Sequence, residues 1–156
     1  MFLDSKANVF TATTPRSEVL SAVEGTHQVG ALNVSGIDTP TTVAACSLDG
    51  RDLGSSSRIL IFHLTDVCDS GIRFKNAERK VILSAGQLPH LLRRSKLEIS
   101  LKLLGNSPVT VYALKNNGGT YGKVAASFSG EALKFSADNS SFPGGVMIYL
   151  VERQTN

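Results

Sequence analysis

The chain has 156 residues, of which 42% are apolar and 19% charged, and its net charge at pH 7 is +3. This balance is typical of one globular domain, which we expect to span residues 1–156. No apolar run approaches the roughly 18 residues of a membrane helix, and the N-terminus has no charged stretch followed by an apolar one, so we expect no membrane partner and no signal peptide in this chain. The basic residues are scattered, which argues against nucleic acid as a partner.

Short stretches rich in Val, Ile, Leu and Phe recur along the chain, separated by clusters of Gly, Asn, Asp, Ser and Pro. This spacing predicts many short β-strands. In chain order the predicted strands are 8–13, 18–23, 29–34, 42–48, 58–65, 80–84, 97–104, 109–114, 123–127, 132–136 and 146–152. Segment 17–23 is the main candidate for a helical turn, because Thr14-Pro15-Arg16 precedes it. With no clear helical stripe, the pattern predicts an all-β fold, an antiparallel β-sandwich of the jelly-roll-like kind.

Two of the predicted strands carry information about their surroundings. Apolar and polar residues alternate from Leu97 to Leu103, which is typical of a strand with one face in water. Residues 58–64 contain one apolar run, which favours a strand buried on both faces, or a central strand beneath a partner layer, over a short helix. Between strands, the pairs Asp49-Gly50 and Asn117-Gly118 favour hairpin ends, since these residues tolerate positive φ.

The sequence contains no recognised catalytic or metal-binding spacing. His63 lies in the most apolar strand, where a hydrogen-bonded core histidine is commoner than a catalytic base. Cys46 and Cys68 lack the spacing of metal ligands, and the sequence leaves open whether they pair. Asp66 and Asp69 supply too few oxygens for a calcium site. We therefore expect no enzymatic activity, no cofactor and no metal.

A protein site for sugar usually presents an exposed aromatic ring, because the CH groups of a pyranose pack against it. The chain has no Trp. Tyr121 lies between glycines in a predicted loop and is the best candidate ring, although a structural tyrosine is commoner there. Phe74 is the second candidate, beside cationic and amide groups that can bond to hydroxyls. The predicted carbohydrate-binding residues are Tyr121, Phe74, Arg73, Asn76 and Asn117.

Several short strings occur in a characteristic order between residues 14 and 114. They are Thr14-Pro15-Arg16-Ser17-Glu18, Ser47-Leu48-Asp49-Gly50-Arg51-Asp52-Leu53, Ser57-Arg58-Ile59-Leu60, Gly86-Gln87-Leu88-Pro89 and Val111-Tyr112-Ala113-Leu114. Together they resemble the C-terminal region of certain large bacterial glycoside hydrolases, in which a β-sandwich follows a TIM-barrel catalytic domain.

The resemblance implies an extracellular or periplasmic accessory domain whose matched residues are structural and not catalytic. Two roles remain open: a carbohydrate-binding module for plant-type polysaccharide or oligosaccharide, or a companion domain that packs against the catalytic domain of the parent enzyme without binding sugar. A sugar binder should present an exposed aromatic residue or a polar groove, and a companion domain should present exposed apolar side chains.

Overall fold

The computed structural model describes residues 1–4 and 8–154, and it confirms the predicted antiparallel all-β sandwich. An eight-stranded sheet and a five-stranded sheet form the body, and two small two-stranded sheets lie in one segment. The strands are β1 (Phe2–Asp4), β2 (Val9–Thr13), β3 (Ser17–Ala22), β4 (Gly25–Val29), β5 (Leu32–Ile37), β6 (Thr41–Ser47), β7 (Arg58–Leu64), β8 (Val67–Ser70), β9 (Arg73–Phe74), β10 (Ile82–Ser84), β11 (Gln87–Leu92), β12 (Lys96–Lys102), β13 (Val109–Leu114), β14 (Thr120–Val124), β15 (Ala126–Ser129), β16 (Ala132–Asp138) and β17 (Ile148–Arg153).

The order in the large sheet is β1-β2-β3-β6-β7-β17-β13-β14, and the order in the five-stranded sheet is β15-β16-β12-β5-β4. Alternate residues of both sheets point into one shared core, as the two-residue period of a strand requires. On β12 the core residues are Leu97, Ile99 and Leu101. The rings of Phe135 and Tyr149, one from each sheet, lie 5.3 Å apart between centroids, so aromatic packing joins the two layers.

Segment 29–34, predicted as one strand, is instead a hairpin of β4 and β5 with its turn at Gly30-Ala31. The turn is held from the other sheet, because the buried Glu18 carboxylate accepts hydrogen bonds from the backbone N–H of Ala31 at 3.0 Å and of Leu32 at 2.8 Å. Gly30 has φ +54°, and a Cβ on it would lie 2.1 Å from Glu18 Oε1. The sequence alone shows one apolar run here. It gives no sign of the long-range contact from Glu18, which holds the turn between β4 and β5.

The predicted strand 18–23 is confirmed as β3, paired on both sides with β2 and β6. The alternative of a helical turn at 17–23 was wrong, because alternating side chains of β3 fill the core. One further expectation was wrong in detail. Segment 123–127 spans the end of β14 and the start of β15, where the chain changes sheets.

Strand β7 is central, between β6 and β17, as predicted. It is buried on one face only: Ile59, Ile61 and His63 are fully buried, while Leu60 and Phe62 are half-buried. The predicted turns are confirmed, since Gly50 and Gly118 have φ of +77° and +84° in connections between paired strands.

A segment comprising residues 65–94, called here the 65–94 segment, leaves the sandwich after β7 and returns before β12. It contains the two small ladders, β8 with β11 and β9 with β10. The predicted strand 80–84 corresponds to β10, and the other three strands of the segment were not predicted.

Candidate functional site

Tyr121 and Asn117, two of the predicted sugar contacts, lie at the β13–β14 hairpin. The Tyr121 ring is half-buried and stacks on Phe142, with centroids 5.2 Å apart and an 18° angle between the planes. Its hydroxyl donates to the Pro143 carbonyl at 2.8 Å, and Lys115 Nζ lies 5.4 Å from the ring centroid. The Asn117 side chain accepts a hydrogen bond from the N–H of Gly119 at 3.1 Å and so stabilises the turn. Both side chains are already engaged within the protein.

Phe74, Arg73 and Asn76, the other predicted contacts, lie in the 65–94 segment. Arg73 and Asn76 are exposed, and Phe74 is half-buried beneath the guanidinium of Arg79, which lies 5.4 Å from the ring centroid. Tyr121 belongs to a different sheet. Across the described ranges 1–4 and 8–154, no hydrogen bond, ion pair or ring contact joins these three residues to the β13–β14 hairpin.

A cleft of about 500 Å³ lies on the outer face of the five-stranded sheet, away from the predicted residues. It is called here the polar cleft, and its principal polar side chains are Asn33, Ser35, Glu98, Ser100, Lys102 and Lys134. Strand register builds it, because Ser100 on β12 pairs with Asn33 on one side and with Lys134 on the other. Side chains directly opposite in antiparallel strands share one face, so three strands distant in sequence present one polar row.

Most polar side chains of this cleft have no partner among the described residues. Asn33, Ser35 and Ser100 make no side-chain hydrogen bond with any residue that the structure describes, and Lys102 and Lys134 make no ion pair with them. At the rim, the Gln28 side chain donates to the Gly30 carbonyl at 3.2 Å. The alternation from Leu97 to Leu103 predicted a wet face here, but the lateral alignment with β5 and β16 was not visible in the sequence.

The 65–94 segment presents a second surface of a different kind. Large apolar side chains are exposed along it, at Val67, Val81, Ile82, Leu83, Leu88 and Leu91. Leu83 and Leu88 expose 61% and 73% of their surface. Exposed apolar side chains scattered singly are normal, but their concentration in one segment is typical of an interaction surface.

The segment is anchored firmly at its base. Arg93 N–H donates to the Asp66 carbonyl at 2.8 Å, and the Thr65 hydroxyl donates to the Arg93 carbonyl at 2.7 Å. The Asp66 carboxylate also pairs with the guanidinium groups of Arg79 and Arg93. The hydrogen bond from Arg79, followed by that from Arg93, lowers the pKa of Asp66 against the opposing effect of burial.

Three of the strings that carry the resemblance contact one another. The Asp49 carboxylate accepts hydrogen bonds from the N–H of Ser57 at 2.7 Å and from the hydroxyls of Ser56 and Ser57, each at 2.8 Å. The N–H of Leu53 donates to the Pro15 carbonyl at 2.8 Å. The backbone hydrogen bond from Ser57, with the hydroxyls of Ser57, Ser56 and Ser47, holds the pKa of Asp49 far below its usual value. The role of these residues is to fix the loop before β7.

A fourth string has a steric role. A Cβ on Gly86 would lie 2.7 Å from the Ser70 carbonyl oxygen and 2.7 Å from Asp69 Cβ, closer than non-bonded atoms approach. Only glycine fits where the chain passes the end of β8, so Gly86 fixes the shape of the 65–94 segment.

His63 is a core histidine, as predicted. It is fully buried, and its Nε2 lies 3.2 Å from the Ser95 hydroxyl, while Nδ1 has no hydrogen-bond partner among the described atoms. Burial lowers the pKa of His63 to about 4, against a smaller opposing effect of the Asp138 charge. The imidazole is therefore neutral near pH 7.

Within residues 1–4 and 8–154, no group of three or more His, Cys, Asp or Glu side chains is placed to hold a metal ion, and no helix is long and apolar enough to cross a membrane. Cys46 and Cys68 are free thiols, and burial raises the pKa of Cys46. The chain matches no protein-family model, no curated protein and no solved structure. The two candidate surfaces, the polar cleft and the 65–94 segment, are therefore interpreted from their own geometry.

Proposed function

We propose that this chain is a non-catalytic accessory domain of a carbohydrate-active enzyme, and that the 65–94 segment packs against the catalytic barrel. The observation that carries the proposal is the concentration of exposed Val, Ile and Leu side chains in a segment outside the sandwich core. Burial of apolar surface favours association, so a partner that covers these side chains would stabilise the segment.

The chemistry of the segment specifies its partner surface. Exposed Arg73 and Lys75 accompany the apolar side chains, and charges at an interface favour opposite charges on the partner. The docking surface on a TIM barrel should therefore be apolar at its centre and acidic at its rim. The anchoring of the segment through Asp66 and Arg93 supports a preformed docking element, which binds at a lower entropic cost than a flexible one.

The test uses this chain and the separately expressed catalytic barrel of its parent enzyme in size-exclusion chromatography. Leu83→Ser and Leu88→Ser should each weaken the affinity that co-elution reports by about fivefold or more, since truncation of a central apolar contact costs about 1 kcal/mol or more. Leu104→Ser is the matched control, because Leu104 is 63% exposed and lies outside the segment. The proposal would be contradicted if both substitutions left co-elution unchanged, or if the same leucines formed a homodimer.

A second function, binding of plant-type polysaccharide or oligosaccharide, is favoured by the polar cleft. Unengaged amide, hydroxyl and ammonium groups on one sheet face suit the hydroxyls of a sugar chain. Affinity electrophoresis on xylans, mannans, glucans and galactans tests it, with dissociation constants on the order of micromolar to millimolar expected for a shallow site.

The cleft and the aromatic residues predicted from sequence can be separated in the same experiment. Asn33→Ala and Ser100→Ala should weaken retardation if the sugar lies on the sheet, whereas Tyr121→Ala should weaken it if the sugar stacks at the β13–β14 hairpin. The absence of retardation on every polysaccharide would reject sugar binding and leave the docking role intact.

A further inference from the structure

Two lysines in the polar cleft stand diagonally across a pair of strands. Lys134 on β16 is directly opposite Ser100, and Lys102 lies two residues beyond Ser100 on β12. Residues two apart in a strand share a face, so both ammonium groups are on the outer face of the sheet. Diagonal neighbours of this kind lie about 7 to 8 Å apart at their bases.

The two positive charges outnumber the acidic groups of the cleft. Neither lysine makes an ion pair or hydrogen bond with another described residue, and Glu98 is the sole carboxylate that lines the cleft within the described ranges. Glu98 lies two residues before Ser100 and is diagonal to Lys134 on the opposite side from Lys102, so the row carries one positive charge in excess, which an anion would neutralise. The cleft thus has an unmatched positive charge where a ligand would lie.

The cleft also lacks the usual means of holding a neutral sugar. No aromatic residue lines it among the residues that the structure describes, so a neutral pyranose would find hydrogen bonds but no ring to stack on. Recognition by charge-assisted hydrogen bonds needs no such ring.

We propose that the polar cleft binds an anionic saccharide, with one acidic group of the sugar held between Lys102 and Lys134. N–H···O contacts of about 2.7 to 2.9 Å on either side of one carboxylate or sulfate ester fit the spacing of the two strands. Ser100 and Asn33 lie next along the same row and contact the hydroxyls of the acidic sugar unit or of the sugar unit beside it. The inference deepens the carbohydrate-binding function and rests on it.

Calorimetry on the whole chain tests the proposal with polygalacturonate as the carboxylated probe, a sulfated galactan as the sulfated probe, and xylan and mannan as neutral probes. Binding to at least one acidic polymer should exceed binding to the neutral ones, and the comparison of the two acidic probes identifies the preferred group. Lys102→Met and Lys134→Met should each weaken binding about tenfold, since a charge-assisted hydrogen bond is lost. Lys123→Met, on β14 in the other sheet, is the matched control and should leave affinity unchanged.

Each contrary result has a distinct meaning. Binding of the neutral probes alone would overturn the anionic preference while carbohydrate binding stood. No binding to any of the four polymers would overturn both. Equal weakening by Lys123→Met, or equal affinity for polyglutamate or single-stranded DNA, would show general attraction to polyanions and overturn the assignment of the cleft.

Discussion

The Asn139 side chain donates from Nδ2 to the carbonyl oxygen of Arg93 at 2.8 Å, across 46 positions of sequence. Its Oδ1 accepts from the N–H of Ser95 at 3.0 Å, and its Nδ2 lies 3.3 Å from the Thr65 hydroxyl. Asn139 is only 1% exposed. One buried amide therefore joins both ends of the 65–94 segment to the end of β16.

We predict that Asn139→Ala lowers the free energy of unfolding by about 2 kcal/mol, because it leaves the buried Ser95 N–H without a partner and removes one of the two hydrogen bonds to the Arg93 carbonyl. Urea unfolding measures the change. Asn76→Ala, at an exposed position of the segment, is the control and should stay within about 0.5 kcal/mol of the original protein. A similar loss in both variants would show that Asn139 has no special role.

Gly30→Ala should destabilise the protein by about 2 to 4 kcal/mol, because alanine must adopt the positive φ of this position and its Cβ displaces the Glu18 carboxylate. Gly130→Ala is a matched control: its φ of +57° is close to the +54° of Gly30, but a Cβ there meets nothing within 4 Å. It should cost about 1 to 2 kcal/mol. In a Glu18→Ala background the cost of Gly30→Ala should fall to that of Gly130→Ala, as a double-mutant cycle in urea would measure.

Acid should weaken the fold through His63 before it affects the carboxylates. The pKa of His63 is about 4 in the folded protein and 6.5 for an ordinary histidine, so below pH 6.5 the unfolded chain binds the proton more readily. Stability then falls as pH decreases from 6.5 to 4, by about 3 kcal/mol in total at roughly 1.4 kcal/mol per pH unit. Urea titrations across this range should show the fall, and His63→Leu should remove most of it. A fall of the same size in the variant would assign the acid sensitivity to other groups.

Asp49→Asn should lower the urea midpoint at pH 7 by a measurable amount, smaller than that for Asn139→Ala because Asp49 is exposed and water screens its charge. The folded pKa of Asp49 is depressed, so its contribution is present above the unfolded pKa near 3.9 and is lost as pH falls below that value. The original protein and the variant should therefore converge at low pH. Asp52→Asn, in the same loop, is the control, and a constant gap at every pH would show that the carboxylate charge is not involved.

Sequence reasoning found the sandwich because its core strands alternate strictly, as in Leu97 to Leu103. It missed the β4–β5 hairpin because a glycine inside an apolar run carries no sign of the Glu18 carboxylate that folds the chain there. It missed three of the four strands of the 65–94 segment. In β11, for example, Leu88 and Leu91 are exposed to solvent, whereas the apolar residues of a typical strand pack on the core of their own domain.

The candidate site was harder to predict for a related reason. Tyr121 is conspicuous in sequence because glycines surround it, yet its neighbour in space is Phe142. The polar cleft combines Asn33, Ser100 and Lys134, which come from three separate strands and align only through their register. No local pattern reveals such lateral alignment.

The closed base of the 65–94 segment bears on how this domain could evolve. The segment connects β7 of the large sheet with β12 of the five-stranded sheet, and its two ends are hydrogen-bonded neighbours through Thr65 and Arg93. Exposed connections whose ends are held together in this way tolerate insertion and replacement. Under the proposed docking role, a new segment between these two residues would fit the domain to another partner. The polar cleft lies on the strands of the five-stranded sheet and not on this segment, so the proposed partner and the proposed ligand could diverge independently.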